Sequence, residues 1–279
     1  MIPLPPEGEL THQPIGDFQT EAGAVIRDVT VAYQRWGEFH GDPHGRNNLI
    51  LVEHALTGDS NAVVWWDGLI GPGAPIDTDR FCVICTNVLG GCSGTTGPSS
   101  DHPDGGKWGS RFPATSIRDH VRTEAHFLEA LGITSMHAVI GGSMGGARTL
   151  EWTLMYPDWA NYACVIAMSA RASAWQIGIQ SAQISAIERD PDWQGGDYYG
   201  TGRSPDAGLS AARRLAHLTY RGELEIDERF GTMAQPGENP LGAFRDRQQR
   251  FAVQSYLDYQ GQRLVERFDA GSYVTITES

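Results

Sequence analysis

Hydrophobic positions along this chain follow two regimes that meet near residue 170. In the first, Val25, Arg27, Val29, Val31 and Tyr33 recur at every second position from Val25 to Trp36, which predicts an extended edge hairpin. Leu49-Ile50-Leu51-Val52, opened by Asn47-Asn48, and the run Phe81 to Cys85 are continuously apolar, as in strands buried on both faces of a parallel sheet. Ser116 to Leu131 reads as a helix, with Ser116 as N-cap, Ile117, Val121, Ala125 and Leu128 on one stripe, and Gly132 as the stop. A strand is expected over Met136–Ile140, a helix over Ala147–Tyr156 ended by Pro157, and a further strand over Ala160–Met168. Apolar strands alternating with helices predict an α/β fold with a mostly parallel sheet, whose ligands sit at the carboxyl ends of the strands.

Beyond Ala170 the buried-strand runs stop. Helical stretches follow over Ala172–Arg189, Ala207–Tyr220 and Phe244–Phe268, parted by Gly/Pro/Asp-rich breaks at 190–197 and 235–240. The division expected is an α/β core over residues 1–169 and a helical lid over 170–279.

One decapeptide, Ala138 to Ala147, carries the chemistry. Its apolar stretch halts at Ser143, fenced by Gly141-Gly142 and Gly145-Gly146, and a helical pattern follows at once. Gly141 and Gly145 take the glycine positions of G-x-S-x-G, where a Cβ would collide with a neighbouring strand or helix. Such a strand–turn–helix corner holds the serine proud of the sheet as a nucleophile, and aims the next N–H, that of Met144, at a developing oxyanion. Gly-rich turns also cradle phosphate, but neither G-x-G-x-x-G nor G-x-x-x-x-G-K-[ST] spacing is present. A second oxyanion donor is expected from a turn after an early strand, and the N–H of Leu56 in Glu53-His54-Ala55-Leu56-Thr57 is the candidate. His54 precedes the nucleophile and ends a strand, so it reads as a structural histidine. The loop Asn87–Pro98 caps another strand and reads either as a pocket wall or as a plain connection.

Composition mostly subtracts. A formal net charge of −13 repels phosphate and argues against nucleic acid. No apolar run approaches the roughly 20 residues of a membrane span, and the start lacks the features of a signal peptide, so a cytoplasmic location is expected. Cys82 and Cys85 are spaced C-x-x-C, yet residues three apart on a strand face opposite ways. With Cys92 and Cys164 they read as reduced, mostly buried thiols, and no metal site is expected.

A wider set of motifs carries a resemblance. His54–Ser60, Trp65-Trp66, Gly71-Pro72-Gly73, Asn87–Cys92, Gly97–Ser100 and Gly141–Gly146 follow in order, then Asp190–Trp193, Gly196–Tyr199, Leu218–Arg221 and Ser255–Leu257. Together they resemble the homoserine O-acetyltransferase family of methionine biosynthesis, nearest its actinobacterial form, over almost the whole chain. The resemblance implies an α/β-hydrolase fold with a helical lid, and ping-pong transfer of an acetyl group from acetyl-CoA to the hydroxyl of L-homoserine through an ester on Ser143. It implies Leu56 and Met144 as oxyanion donors, and Arg213, Tyr220 and Thr57 as residues meeting the amino acid. Arg213, read from its surroundings alone, is a solvated helix charge; a guanidinium fork nonetheless suits a carboxylate. Acetyl-CoA is then a co-substrate with no resident cofactor, and a homodimer through the lid helices is implied.

The sequence departs from that family in one respect. A serine elbow takes its acid and histidine, in that order, from loops after later strands, and the sequence stops at Ser279 before such strands appear. Only His217 follows Ser143; it sits on a helix face with Arg213, a poor platform for a base, while Asp258 and Asp269 read as solvated. The expectation is a truncated homologue with the triad Asp and His absent, the last core strands and helices missing, weak acyl transfer, and apolar sheet surface left open. Alternatives are a homoserine succinyltransferase, a serine O-acyltransferase or plain esterase of the same fold, and a catalytically dead homologue acting through lid-mediated association.

Overall fold

A computed structural model describes residues 4–242 and 249–279. The chain forms two compact units, Met1–Ala172 with Gly271–Ser279, and Ser173–Ala270.

The first unit opens with β1 (Thr11–Gln19) and β2 (Val25–Trp36), then β3 (Leu49–Glu53), the short α1 (Ala62–Trp65), and a two-stranded ribbon of β4 (Ile70–Gly71) and β5 (Ile76–Asp77). It continues through β6 (Cys82–Thr86), α2 (Ile117–Ala130), β7 (Met136–Gly142), α3 (Met144–Met155) and β8 (Ala160–Ile166). Six strands make one sheet in the order β1-β2-β6-β3-β7-β8. β2 pairs antiparallel with both β1 and β6, whereas β6, β3, β7 and β8 are mutually parallel. The hairpin therefore lies at one edge, as the two-residue periodicity predicts.

Every residue of β3 and β6 is buried, the reason both runs read as apolar without alternation. Leu49, Leu51, Ile84 and Cys82 pack on one face with Val121, Phe127 and Leu128 of α2, while Ile50, Val52, Val83 and Cys85 pack on the other with Ala62 and Ile76. The C-x-x-C thiols thus point to opposite faces, and all four cysteines are free. Ser116 caps α2 as expected: its Oγ accepts the Asp119 N–H at 3.2 Å, and Asp119 accepts the Ser116 N–H at 3.1 Å.

Cys164 corrects the expectation of buried thiols. Among the described residues β8 pairs only with β7, and Tyr162, Val165 and Ile166 lie exposed beside Cys164. The apolar sheet surface expected to be left open thus lies along β8.

The second unit is helical: α4 (Ala174–Glu188), α5 (Asp206–Thr219), α6 (Glu223–Phe230) and α7 (Ala252–Val265). α5 packs between α4 and α7, burying Ile187, Leu209, Ala212, Ala216, Leu257 and Leu264. The expected start of the third helix, Phe244, lies outside the described residues, and α7 begins at Ala252. α6, with acidic residues in its first turn, was not anticipated.

Nor was α8 (Ala270–Thr277), whose Tyr273 and Ile276 are buried. It belongs, from Gly271 on, to the first unit: Thr275 and Ile276 lie against Gly90, and Ser279 Oγ is 3.2 Å from Thr115 Oγ1. The helical region expected over 170–279 accordingly spans 173–270. Its end was misplaced because an eight-residue apolar helix shows no amphipathic period to read.

Candidate active site

The carboxyl ends of β3 and β7 lie side by side, with Glu53 opposite Gly141 in the parallel register. Ser143 follows two residues later, exposed, with φ of 57° and ψ of −124°. Positive φ is strained for any side chain but glycine, and this corner is where a nucleophile elbow stores such strain. The helix starts at Met144, three residues before the stretch expected from periodicity, because its first turn is glycine. As the first N–H of α3, that of Met144 has no intrahelical acceptor and lies at the positive end of the helix dipole.

Both glycines do what the motif requires. A Cβ at Gly145 would overlap the Glu53 carbonyl oxygen, and one at Gly141 would come within 2.6 Å of the Glu53 Cβ. α3 can press against the end of β3 only because neither side chain exists.

Leu56 and Thr57, both half-buried, lie in the turn after β3, which a bond from the Gly58 N–H to the Ala55 carbonyl closes at 2.8 Å. His54 anchors this turn. Its Nε2 accepts the Val88 N–H at 3.1 Å and its Nδ1 meets the Ala55 carbonyl at 2.7 Å, which assigns the proton to Nδ1. Burial, then the Arg148 charge, lowers its pKa to about 3, so the ring is neutral and committed. The structural reading of His54 holds. The loop from Asn87 supports the same turn: Asn87 Oδ1 accepts the Ser60 N–H at 2.8 Å, and Thr95 Oγ1 donates to the Asn87 carbonyl at 2.7 Å.

A buried ionic cluster behind the elbow escaped sequence reasoning. Arg148, fully buried, donates from Nη1 to Glu124 at 2.7 Å and from Nη2 to the His54 carbonyl at 3.0 Å; Nη2 also lies 3.1 Å from Glu53 Oε2. Trp152 Nε1 donates to both carboxyl groups at 3.1 Å. The only signal was a charge at the end of a wholly apolar strand, Glu53, and another, Arg148, directly after Gly145-Gly146-Ala147 of the elbow helix.

Arg213 and Tyr220 lie in the second unit, where the structure brings them together. The half-buried Arg213 guanidinium stands 5.7 Å from the centroid of the Tyr220 ring, so it is not the solvated charge that its surroundings in the sequence suggested. His217 lies beside them, its ring 5.4 Å from that of Tyr220 and its Nδ1 3.1 Å from Tyr256 Oη. Burial, then the charges of Arg213 and Arg221, lowers its pKa to about 4. The two late acids are paired, contrary to expectation: Asp258 binds Arg214 at 2.9 Å and Arg250 at 3.2 Å, while Asp269 accepts the hydroxyls of Tyr198 and Tyr199 at 2.5 and 2.8 Å.

A cavity of about 590 Å³ lies at the opposite, amino ends of β3, β7 and β8, lined among others by His40, Arg46, His137 and Tyr162. It contains none of the residues expected at the site. Among the described residues no cluster of His, Cys, Asp or Glu is arranged to hold a metal, and no helix is long and apolar enough to cross a membrane.

A strained serine between a parallel strand and a helix, with a donor-bearing turn on the adjacent strand, defines an α/β-hydrolase elbow. The family model described as alpha/beta hydrolase fold matches residues 48–273. A homoserine O-acetyltransferase of Corynebacterium efficiens is 67% identical over 279 residues, all of this chain and 74% of that protein. Among solved structures, a homoserine O-acetyltransferase from Bacillus anthracis superposes with a TM-score of 0.83 at 26% identity, over 96% of this chain and 74% of that one. Esterase E22 superposes with a TM-score of 0.82 at 27% identity, over 97% and 77%. The chain belongs to the alpha/beta hydrolase fold family and, within it, to the homoserine O-acetyltransferase family.

Proposed function

We propose that Ser143 carries an acetyl group from acetyl-CoA to the side-chain hydroxyl of L-homoserine. In the first half-reaction the Ser143 oxygen attacks the thioester carbonyl, the C–S bond breaks, and coenzyme A leaves as the thiol with the serine proton. In the second, the homoserine oxygen attacks the acetyl-serine ester, giving O-acetylhomoserine and restoring the Ser143 hydroxyl. Each step passes through an oxyanion, which the N–H groups of Leu56 and Met144 receive. Arg213 with Tyr220 beside it, and Thr57 of the donor turn, are assigned to the amino acid, the guanidinium to its carboxylate. No resident cofactor takes part, and the helical unit supplies the surface for a homodimer in the cytoplasm.

The observation that carries this reading is the exposed Ser143 at φ 57°, in a chain 67% identical to a homoserine O-acetyltransferase. Esterase E22 motivates the second reading, transfer of the acyl group to water. Protein purified from the complete gene, mixed with acetyl-CoA, should gain one acetyl group on Ser143 by intact mass and peptide mapping. L-homoserine should then discharge it far faster than buffer does. Succinyl-CoA should leave the mass unchanged, and Ser143→Ala should abolish the adduct. An adduct that buffer clears as fast as homoserine marks an esterase; no adduct, or one surviving in Ser143→Ala, overturns the assignment.

A further inference from the structure

We infer that Arg148 is a positioning residue that fixes the distance between the two oxyanion donors, by tying the carbonyl of His54 to the helix that begins at Met144. The inference rests on the reading of Ser143 given above and extends it to a residue that touches no substrate.

Three observations carry it. First, Arg148 lies on α3, five positions past Ser143, so its guanidinium is rigidly related to the serine and to the Met144 N–H. Second, that guanidinium spends one of its donors on a main-chain oxygen, the His54 carbonyl at 3.0 Å, two residues before Leu56. An arginine present only to neutralise carboxylates has no need of that bond. Third, the other supports described for the turn come from within it or from the loop after β6, not from the elbow helix: the His54 ring to Ala55 and Val88, Gly58 to Ala55, and Ser60 to Asn87. Arg148 is the hydrogen-bonding side chain of the elbow helix that reaches His54.

The carboxyl groups hold the guanidinium in place. Glu124 binds Nη1 and is itself held by Thr86 Oγ1 at 2.9 Å; Glu53, hydrogen-bonded to Glu124, flanks Nη2. Burial, outweighing the pull of Arg148, raises the Glu53 carboxyl well above the usual carboxylate range. Glu53 therefore gives up its proton less readily than an ordinary carboxyl, which lessens the charge that the cluster must bury. With Arg148, Glu53 and Glu124 all buried and in contact, the guanidinium has no water to turn to and is held in one geometry.

The position matters because oxyanion stabilisation depends on donor placement. Removing a donor costs about 10²–10³ in rate, and a misplacement of about 1 Å can cost about 10². Lysine at 148 keeps the charge but offers one nitrogen where the guanidinium uses two, Nη1 on Glu124 and Nη2 on His54, so it loses the planar fork that sets their spacing; glutamine keeps a donor but loses the charge.

The test compares the parent with Arg148→Lys and Arg148→Gln, all made from the complete gene. Single-turnover acetylation of Ser143 by acetyl-CoA gives the maximal rate and the half-saturating concentration. Amide hydrogen exchange by mass spectrometry reports residues 54–58 and, as a reference, residues 11–36. Expected in both variants is a maximal rate lower by about 10–100-fold, an unchanged half-saturating concentration, faster exchange in 54–58 and parental exchange in 11–36. A folded Arg148→Lys protein with parental rate and parental exchange in 54–58 overturns the inference. Equal loss of protection in both segments of both variants also overturns it, since Arg148 then stabilises the sheet at large. Should the parent itself fail to acetylate, the reading of Ser143 falls, and the exchange of 54–58 alone decides whether Arg148 fixes the turn.

Discussion

Two arginine–carboxylate clusters in this protein use the same chemistry in opposite surroundings. In the first unit Arg148 lies between Glu53 and Glu124 with all three groups shut off from water. In the second, Arg250 bridges Glu238 and Asp258, and Asp258 also binds Arg214, with every partner reached by solvent. Distances barely distinguish them: 2.7 Å is the shortest ion-pair contact of each central guanidinium. Energetics do. Water and salt screen the exposed cluster, whose members would be well solvated apart; the buried one has no alternative partner for any of its charges. A short ion pair therefore says little until its surroundings are known.

The comparison is most exposed to Arg148→Met, which strands a buried carboxylate and should lower unfolding free energy by about 3–5 kcal/mol in urea titration. A loss below about 1 kcal/mol would make the two clusters equivalent. Next in size is an acid effect peculiar to the buried side. His54 and His120, both sealed in and close to Arg148, have pKa values lowered to about 3 from an ordinary 6.5. The unfolded chain binds protons there that the folded protein refuses, so their contribution is full above about pH 6.5 and is lost as pH falls toward 3. Thermal midpoints should decline across that window, and His120→Gln should flatten the decline. Glu53 works the other way, its raised pKa costing stability as pH rises past the unfolded carboxylate value. Smaller again is Ser116→Ala, which removes a half-exposed cap and should cost about 1 kcal/mol by the same titration. At the bottom stands Arg250→Gln, expected to leave the thermal midpoint unchanged within error; a clear drop would show the exposed cluster working as a unit.

How much of this was legible in the sequence follows from the range of the forces involved. The span of β2 was readable but its buried face was not, since Ile26 is buried where Val25 is exposed and Asp28 at φ 53° breaks the alternation; α2 was readable because a cap, a stripe and a glycine stop agree. Ser143 was readable because glycines on both sides leave one backbone solution. The Arg148 cluster was not, since Glu53, Glu124 and Arg148 lie far apart in sequence and meet only when α2 and α3 pack on the end of β3. Arg213 needed tertiary structure for the same reason: its aromatic partner is seven residues away, and only folding shows that its helix face is half covered. Cys164 read as buried because its run is as apolar as those of β3 and β6, and what covers a strand is decided by elements distant in sequence.

The chain leaves the first unit after Ala172 and rejoins it at Gly271, so the helical unit is an insert fastened at both ends. It has no free terminus from which to fray. A protease that nicks it once, for instance in the turn-rich stretch 190–205, would release nothing: each product would still carry part of the sheet unit, and the pieces would separate only under denaturing conditions. Two cuts are needed to liberate the insert, which makes limited digestion a direct way to count its tethers.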